Sequence, residues 1–247
     1  MTTEALPGRP ETLTTEQESK LKDLWATTLH LFGVLNDKSA NDDTDNSRPR
    51  SDTTNSKKPR KKRTTLFRKN KDEGNSSATF STLSEADDKF GQMKVFNEAL
   101  ANMTPESLRN SFWGMVKHDN PDALLLRFLR ARQWDIEKAL VMVISTMRWR
   151  LNEVHVDDDI ILNGDLKALE QSNGSDPVQK KFGKNFLDQM RLGKSFLHGT
   201  DKKGRPMCLV RVRQHKVGEQ CEQSLERYTV YLIETARMVL APPIDTA

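Results

Sequence analysis

At 247 residues, with 35% hydrophobic and 30% charged side chains and a mean hydropathy of -0.71, the chain is too polar to pack along its whole length. Its net charge of +4, from 39 basic against 35 acidic residues, is informative only where it clusters, which it does once, at Lys57 to Arg63. Two cysteines, Cys208 and Cys221, exclude a disulfide framework, no apolar run approaches the roughly 20 residues of a membrane span, and Met-Thr-Thr-Glu-Ala-Leu-Pro lacks the basic start and apolar core of a secretory signal. A reducing, cytoplasmic setting with only peripheral membrane contact is expected.

A first helix is signalled by the capping box Thr14 with Gln17, followed by the stripe Leu21, Leu24, Trp25, Leu29, Phe32 and Leu35. From about Asn36 to Asp88 the residues are mostly Asn, Asp, Ser, Thr and Lys, too polar to offset the entropy of ordering a backbone, so a disordered insert is expected. Order is expected to return near Phe90. Thr104-Pro105-Glu106 then supplies an N-cap, a proline at the first helical position and an acid in the first turn, opening a helix with Leu108, Phe112, Met115 and Val116 on one face. Asn120-Pro121-Asp122 opens the next, through Leu124, Leu125, Phe128 and Leu129 to about Arg132. A third starts at Asp135 and carries Ile136, Ala139, Leu140, Val143, Ile144 and Met147. Short connections predict a compact bundle of these three, with Trp113, Trp134 and Trp149 read as core.

A polar stretch holding Asn173-Gly174-Ser175-Asp176-Pro177 leads to a helix expected around Lys180 to Arg191. Lys194 to His198 reads as extended, Asp201 to Pro206 as a glycine-containing turn and Met207 to Arg213 as the returning strand of a hairpin. Leu225, Tyr228, Leu232, Ala236 and Val239 recur at helical spacing, and Ala241-Pro242-Pro243 ends that helix. A strand followed by a helix calls for a parallel strand, which the sequence up to Ala247 does not supply.

The run from Leu124 through Leu-Leu-Arg-Phe-Leu-Arg-Ala-Arg-Gln-Trp to Asp135, then Glu137-Lys138-Ala139 and Trp149-Arg150, closely resembles the helical N-terminal part of CRAL-TRIO proteins. Gly199 to Pro206 resembles the turn entering the first strand of their lipid-binding domain. The early Leu13 to Leu35 helix, the basic insert and Phe112-Trp113 are similar to a fungal subgroup of phosphatidylinositol transfer protein homologues. The resemblance covers about residues 10 to 35 and 95 to 247. It implies an α/β fold, α+β over the residues present: a helical bundle, then the first strands and helix of a lipid-binding domain that is incomplete, truncated at its C-terminal side. The expected division is 1–36 N-terminal helix, 37–89 polar basic insert, 90–178 bundle and 179–247 start of the lipid-binding domain.

The family's implied activity is phospholipid binding and transfer between membranes, phosphatidylinositol favoured, with the acyl chains enclosed in a gated apolar pocket. It implies no covalent step, so neither an enzyme nor a cofactor is expected, and the ligand is the phospholipid itself, carried by a monomer. Arg127, Arg130 and Arg132 crowd one helix end, where arginine's planar fork suits phosphate. The resemblance points to Arg132 as the headgroup ligand, and the alternative is that all three pair with carboxylates in the bundle. Lys57, Lys58, Arg60, Lys61, Lys62 and Arg63, with Leu66 and Phe67 nearby, suit an anionic membrane; a nuclear import signal, a nucleic-acid patch and a solvated loop are the alternatives. Gly193-Lys194-Ser195 lacks the upstream glycine of a phosphate loop, and Cys208, Cys221, His198 and His215 lack zinc-site spacing. A regulatory or interaction fragment and a nucleic-acid-associated protein remain the competing classes.

Overall fold

A computed structural model describes residues 6–35, 91–219, 221–240 and 244. In chain order these form α1 (Thr15–Leu31), α2 (Gln92–Asn102), α3 (Pro105–Val116), α4 (Pro121–Ala131) and α5 (Ile136–Arg148), two π-helical segments (Trp149–Glu153, Val156–Ile161), then α6 (Leu162–Asn173) and α7 (Pro177–Arg191). A hairpin of β1 (Ser195–Thr200) and β2 (Pro206–Val210), a short 3-10 turn (Val212–Gln214) and α8 (Glu222–Met238) follow. The polar basic insert, with Lys57 to Arg63, and Ala241-Pro242-Pro243 lie outside the described residues.

Helix starts follow side-chain caps. Thr14 accepts from the Gln17 amide at 3.3 Å while the Gln17 side chain accepts from the Thr14 amide at 3.1 Å, closing the capping box. The side chains of Thr104, Asn120 and Asp135 accept from first-turn amides and so cap α3, α4 and α5. Asp176 caps α7, which therefore begins at Pro177, a turn earlier than its apolar pattern suggested. Helix α8, entered at Cys221, and two earlier helical stretches carry no such signal. Helix α2 opens on Gly91 in the left-handed region with no side-chain cap. The stretch expected as polar connection after α5 is helical almost throughout, interrupted at His155 and Gly164, whose φ values are positive.

Helices α1 to α5 share one apolar core, so the bundle has five members rather than the expected three. Leu24, Phe96, Phe112, Leu125, Leu129 and Ile144 are among its fully enclosed side chains. Phe112 occupies the centre, with the rings of Trp25, Phe32 and Trp113 around it at 5.4 to 5.5 Å. Trp113, read from the sequence as core, is 51% exposed, because Phe112 already fills the inward position.

A second cluster joins α6, α7 and α8 through Ala168, Phe186, Leu187 and Tyr228. Helices α6 and α7 approach closely at Gly183, where a Cβ would overlap the Ala168 carbonyl oxygen and stand 2.8 Å from both Gln171 Cβ and the Ser172 amide nitrogen. The hairpin is antiparallel, pairing Ser195 with Val210 and Leu197 with Cys208, and turns through Gly204 at φ 81. Its second strand ends at Val210, shorter than the alternation to Arg213 implied. Tyr228 of α8 anchors it, donating its hydroxyl to the Ser195 carbonyl while accepting from the Ser195 amide at 3.3 Å. The result is a mostly helical α/β arrangement with a two-stranded sheet.

Replacing Gly183 with alanine is expected to destabilise the protein by about 1–3 kcal/mol through overpacking of α6 on α7, read as a lower midpoint in chemical denaturation. Alanine at the exposed Lys184 is the control and should leave the midpoint unchanged.

Candidate functional site

Arg127 and Arg130 lie in the last turns of α4 and Arg132 is its C-cap. The backbone then turns through Gln133 and Trp134, both at positive φ, and the Trp134 amide donates to the Leu129 carbonyl at 2.7 Å. This tight turn carries the chain directly into α5 and leaves the three guanidiniums with different partners. Arg127 pairs with Asp119 just before α4. Arg130 donates to the Gly8 carbonyl at 2.7 Å, holding the N-terminal segment against the bundle. Arg132 donates to the Gln92 side-chain oxygen at 2.6 Å, at the start of α2. No carboxylate among the described residues pairs with Arg132, whereas the charge of Arg127 is matched within the fold.

The strongest electrostatic feature lies elsewhere. Arg150, 4% exposed in the first π-helical segment, donates to both Glu234 oxygens of α8 at 2.7 and 3.0 Å and to both Asp157 oxygens at 2.8 and 3.0 Å. Lys117, after α3, also pairs with Asp157. Arg237 donates to Glu234 at 2.9 Å and to the Met115 carbonyl at 2.6 Å. Four charged side chains thus fasten α8 to the bundle around one buried guanidinium. Burial pushes the Glu234 and Asp157 carboxyls up, but the hydrogen bonds from Arg150 outweigh it, and both stay below their ordinary values. Beside it, Asp159 is held low by Arg227 of α8 at 2.7 Å, Lys167 at 2.7 Å and Asn163, against the opposing push of burial.

Sequence reasoning singled out Trp149-Arg150 as a motif but assigned Arg150 no partner. Glu234 carried a signal that went unread: it falls on the inward stripe of α8, six residues after buried Tyr228 and four after buried Val230, where a carboxylate requires an ion pair.

Two surfaces complete the site. An open cleft of about 450 Å³ between α3 and the π-helical segments is lined by Thr104, Glu106, Asn110, Arg150, Leu151 and Asp157, among others. Around the hairpin and α8, by contrast, Met207, Leu209, Val210, Ile233, Met238 and Val239 are exposed apolar groups. Lys194, at the entry to β1, is buried, and its amine lies 3.0 Å from His215 Nδ1; a strand follows it, not the helix a phosphate loop needs. No helix among the described residues is long and apolar enough to cross a membrane.

The CRAL/TRIO, N-terminal domain family matches residues 92–145 and the CRAL/TRIO domain family matches residues 190–247. The chain belongs to the CRAL-TRIO family. Within it, the chain is similar to a CRAL-TRIO domain-containing protein of Schizosaccharomyces pombe, 37% identical over 248 residues that cover 97% of this chain and 52% of that protein. It is also similar to the phosphatidylinositol transfer protein CSR1 of Eremothecium gossypii, 34% identical over 267 residues that cover 100% of this chain and 58% of that protein. Patellin-3 of Arabidopsis thaliana is 29% identical over 140 residues, 53% of this chain and 23% of its own length. The chain thus spans about half the length of the two fungal relatives. The first family match holds α2, α3, α4 and most of α5; the second holds the hairpin and α8.

Replacing Arg150 with alanine leaves Glu234 and Asp157 without their main counter-charge and is expected to cost about 3–5 kcal/mol of stability, measured by urea denaturation at neutral pH. Because the folded-state values of Asp157, Asp159 and Glu234 lie below the unfolded ones, their contribution is complete above the ordinary carboxylate range and is lost as pH falls below about 4. Stability followed from pH 7 to pH 2 should fall on the acid side. A flat profile would mean that these carboxylates do not hold α8.

Proposed function

We propose that the protein binds a phospholipid, phosphatidylinositol in preference, and carries it between membranes without a covalent step or a cofactor. The observation that supports this reading most strongly is the 34% identity, over the whole of this chain, to a protein named as a phosphatidylinositol transfer protein. The exposed apolar groups of the hairpin and α8 agree with it, because hydrocarbon must be enclosed once it leaves the bilayer. Each methylene costs about 0.8 kcal/mol in water, so two acyl chains require an apolar pocket rather than a surface groove.

In this reading the hairpin and α8 form part of the pocket wall, and closure of a gate completes it. Arg132 takes the headgroup phosphate, its charge unmatched by any described carboxylate, while Arg130 and Arg127 play supporting roles near it. Residues 1–36 and 90–178 act as the scaffold and 179–247 as the lipid-contacting part, with 37–89 as a basic insert. The insert residues Lys57, Lys58, Arg60, Lys61, Lys62 and Arg63 attract the protein to anionic membrane, each adding about 1 kcal/mol near the surface. The protein works as a monomer in the cytoplasm with transient membrane contact.

Native mass spectrometry of the 247-residue chain after incubation with phosphatidylcholine and phosphatidylinositol vesicles tests the reading. A monomer retaining phosphatidylinositol is expected, with retention reduced about tenfold or more in R132A, the effect of losing one charged hydrogen-bond pair. A chain that emerges empty, or one whose retention ignores both headgroup and Arg132, would overturn it.

A further inference from the structure

Arg127 pairs with Asp119, Arg148 with Glu98 and Glu153, Arg150 with Asp157 and Glu234, and Arg227 with Asp159, so each of these arginines meets a carboxylate where it leaves water. Arg132 is also partly buried, where α4 passes into α5, yet its guanidinium donates to an uncharged group, the Gln92 side-chain oxygen at 2.6 Å.

Backbone contacts fix both ends of this pair. Gln92 is the first residue of α2, its carbonyl accepts from the buried Ser145 hydroxyl of α5 at 3.0 Å, and the next turns bury Phe96 and Ala99 completely. On the other side, the Arg132 amide donates to the Phe128 and Leu129 carbonyls at 3.1 and 3.2 Å. The guanidinium therefore has a defined direction before any ligand arrives, and ordering an arginine in advance removes part of the entropic cost of binding. An amide oxygen and a carboxylate oxygen can stand in the same place and accept the same N–H, but they differ in charge. A carboxylate here would cancel the guanidinium and repel a phosphate. The amide orients it and cancels nothing.

We infer that Gln92 is a positioning residue of the headgroup site: it aims Arg132 at the phosphate of a bound phospholipid and, being uncharged, leaves the arginine's charge to that phosphate. This rests on the lipid-transfer reading with Arg132 as phosphate ligand, and adds to it the residue through which that arginine is held.

Gln92→Glu keeps an acceptor in place and changes its charge. A carboxylate in the first turn of α2 suits the positive end of the helix dipole and pairs with Arg132, so the urea midpoint of Q92E should equal or exceed that of the parent. Loading with phosphatidylinositol from mixed phosphatidylcholine and phosphatidylinositol vesicles, read by native mass spectrometry, should need about ten times more vesicle for the same occupancy, because a like charge now stands beside the phosphate. Asn97→Glu, exposed on the same helix, adds the same charge elsewhere and should leave loading unchanged. In a chain already carrying R132A, Q92E should lower loading no further, compared at a vesicle concentration where R132A still loads measurably. If Gln92 only ties α2 to α4, Q92E will load as the parent does, or lose lipid only in step with a falling urea midpoint. Either result overturns the inference, as does an equal loss in N97E or a further loss on top of R132A, while the transfer reading stands on the parent's own loading. A parent chain that loads no phosphatidylinositol overturns the transfer reading itself and this inference with it.

Discussion

A guanidinium cannot shed its charge at any pH a protein meets, and that of Arg150 is almost completely out of water. Burying it costs several kcal/mol unless its donors are matched, and Glu234 and Asp157 match them with two bidentate contacts. Because Asp157 belongs to the segment after the bundle and Glu234 to α8, a rotation or shift of α8 would strand a charge in low dielectric. The bundle and the last helix are therefore locked in register by electrostatics, where apolar packing alone would allow sliding.

That lock passes outward through α8. Tyr228 on the same helix holds both backbone groups of Ser195, so the position of α8 sets where the hairpin begins. Val230 and Tyr231 pack on the second π-helical segment, and Ser224 donates to the Phe182 carbonyl of α7. One helix thus touches the bundle side, the α6–α7 pair and the sheet. The charged side of the junction faces the cleft beside α3, and the hairpin and α8 carry exposed apolar groups.

Much of the bundle was legible because its signals are local. A side-chain cap and an apolar stripe sit within a few residues of each other in α1, α3, α4 and α5, and α3 and α4 add a proline at the first position. Helix α2 was missed since a left-handed glycine replaces the cap, and the stretch from Trp149 to Asn173 since three consecutive aspartates and an internal glycine resemble a loop. Asp157 is matched there by Arg150 and Lys117 and Asp159 by Arg227 and Lys167, while Asp158 meets only the neighbouring His155 among the described residues. Trp113 and Phe112, adjacent in sequence, could not be ranked by pattern, and the crowding around Phe112 decided which went inside.

Family membership, the four capped helices, the glycine turn of the hairpin and the crowding of Arg127, Arg130 and Arg132 at one helix end were determined by the sequence by itself, because each depends on residues that are neighbours along the chain. Which of those arginines pairs with a carboxylate, and that Arg150 is the buried one, were decided only by the tertiary structure. Partners such as Arg150 and Glu234, 84 positions apart, meet through the packing of whole helices, and no local propensity encodes that distance.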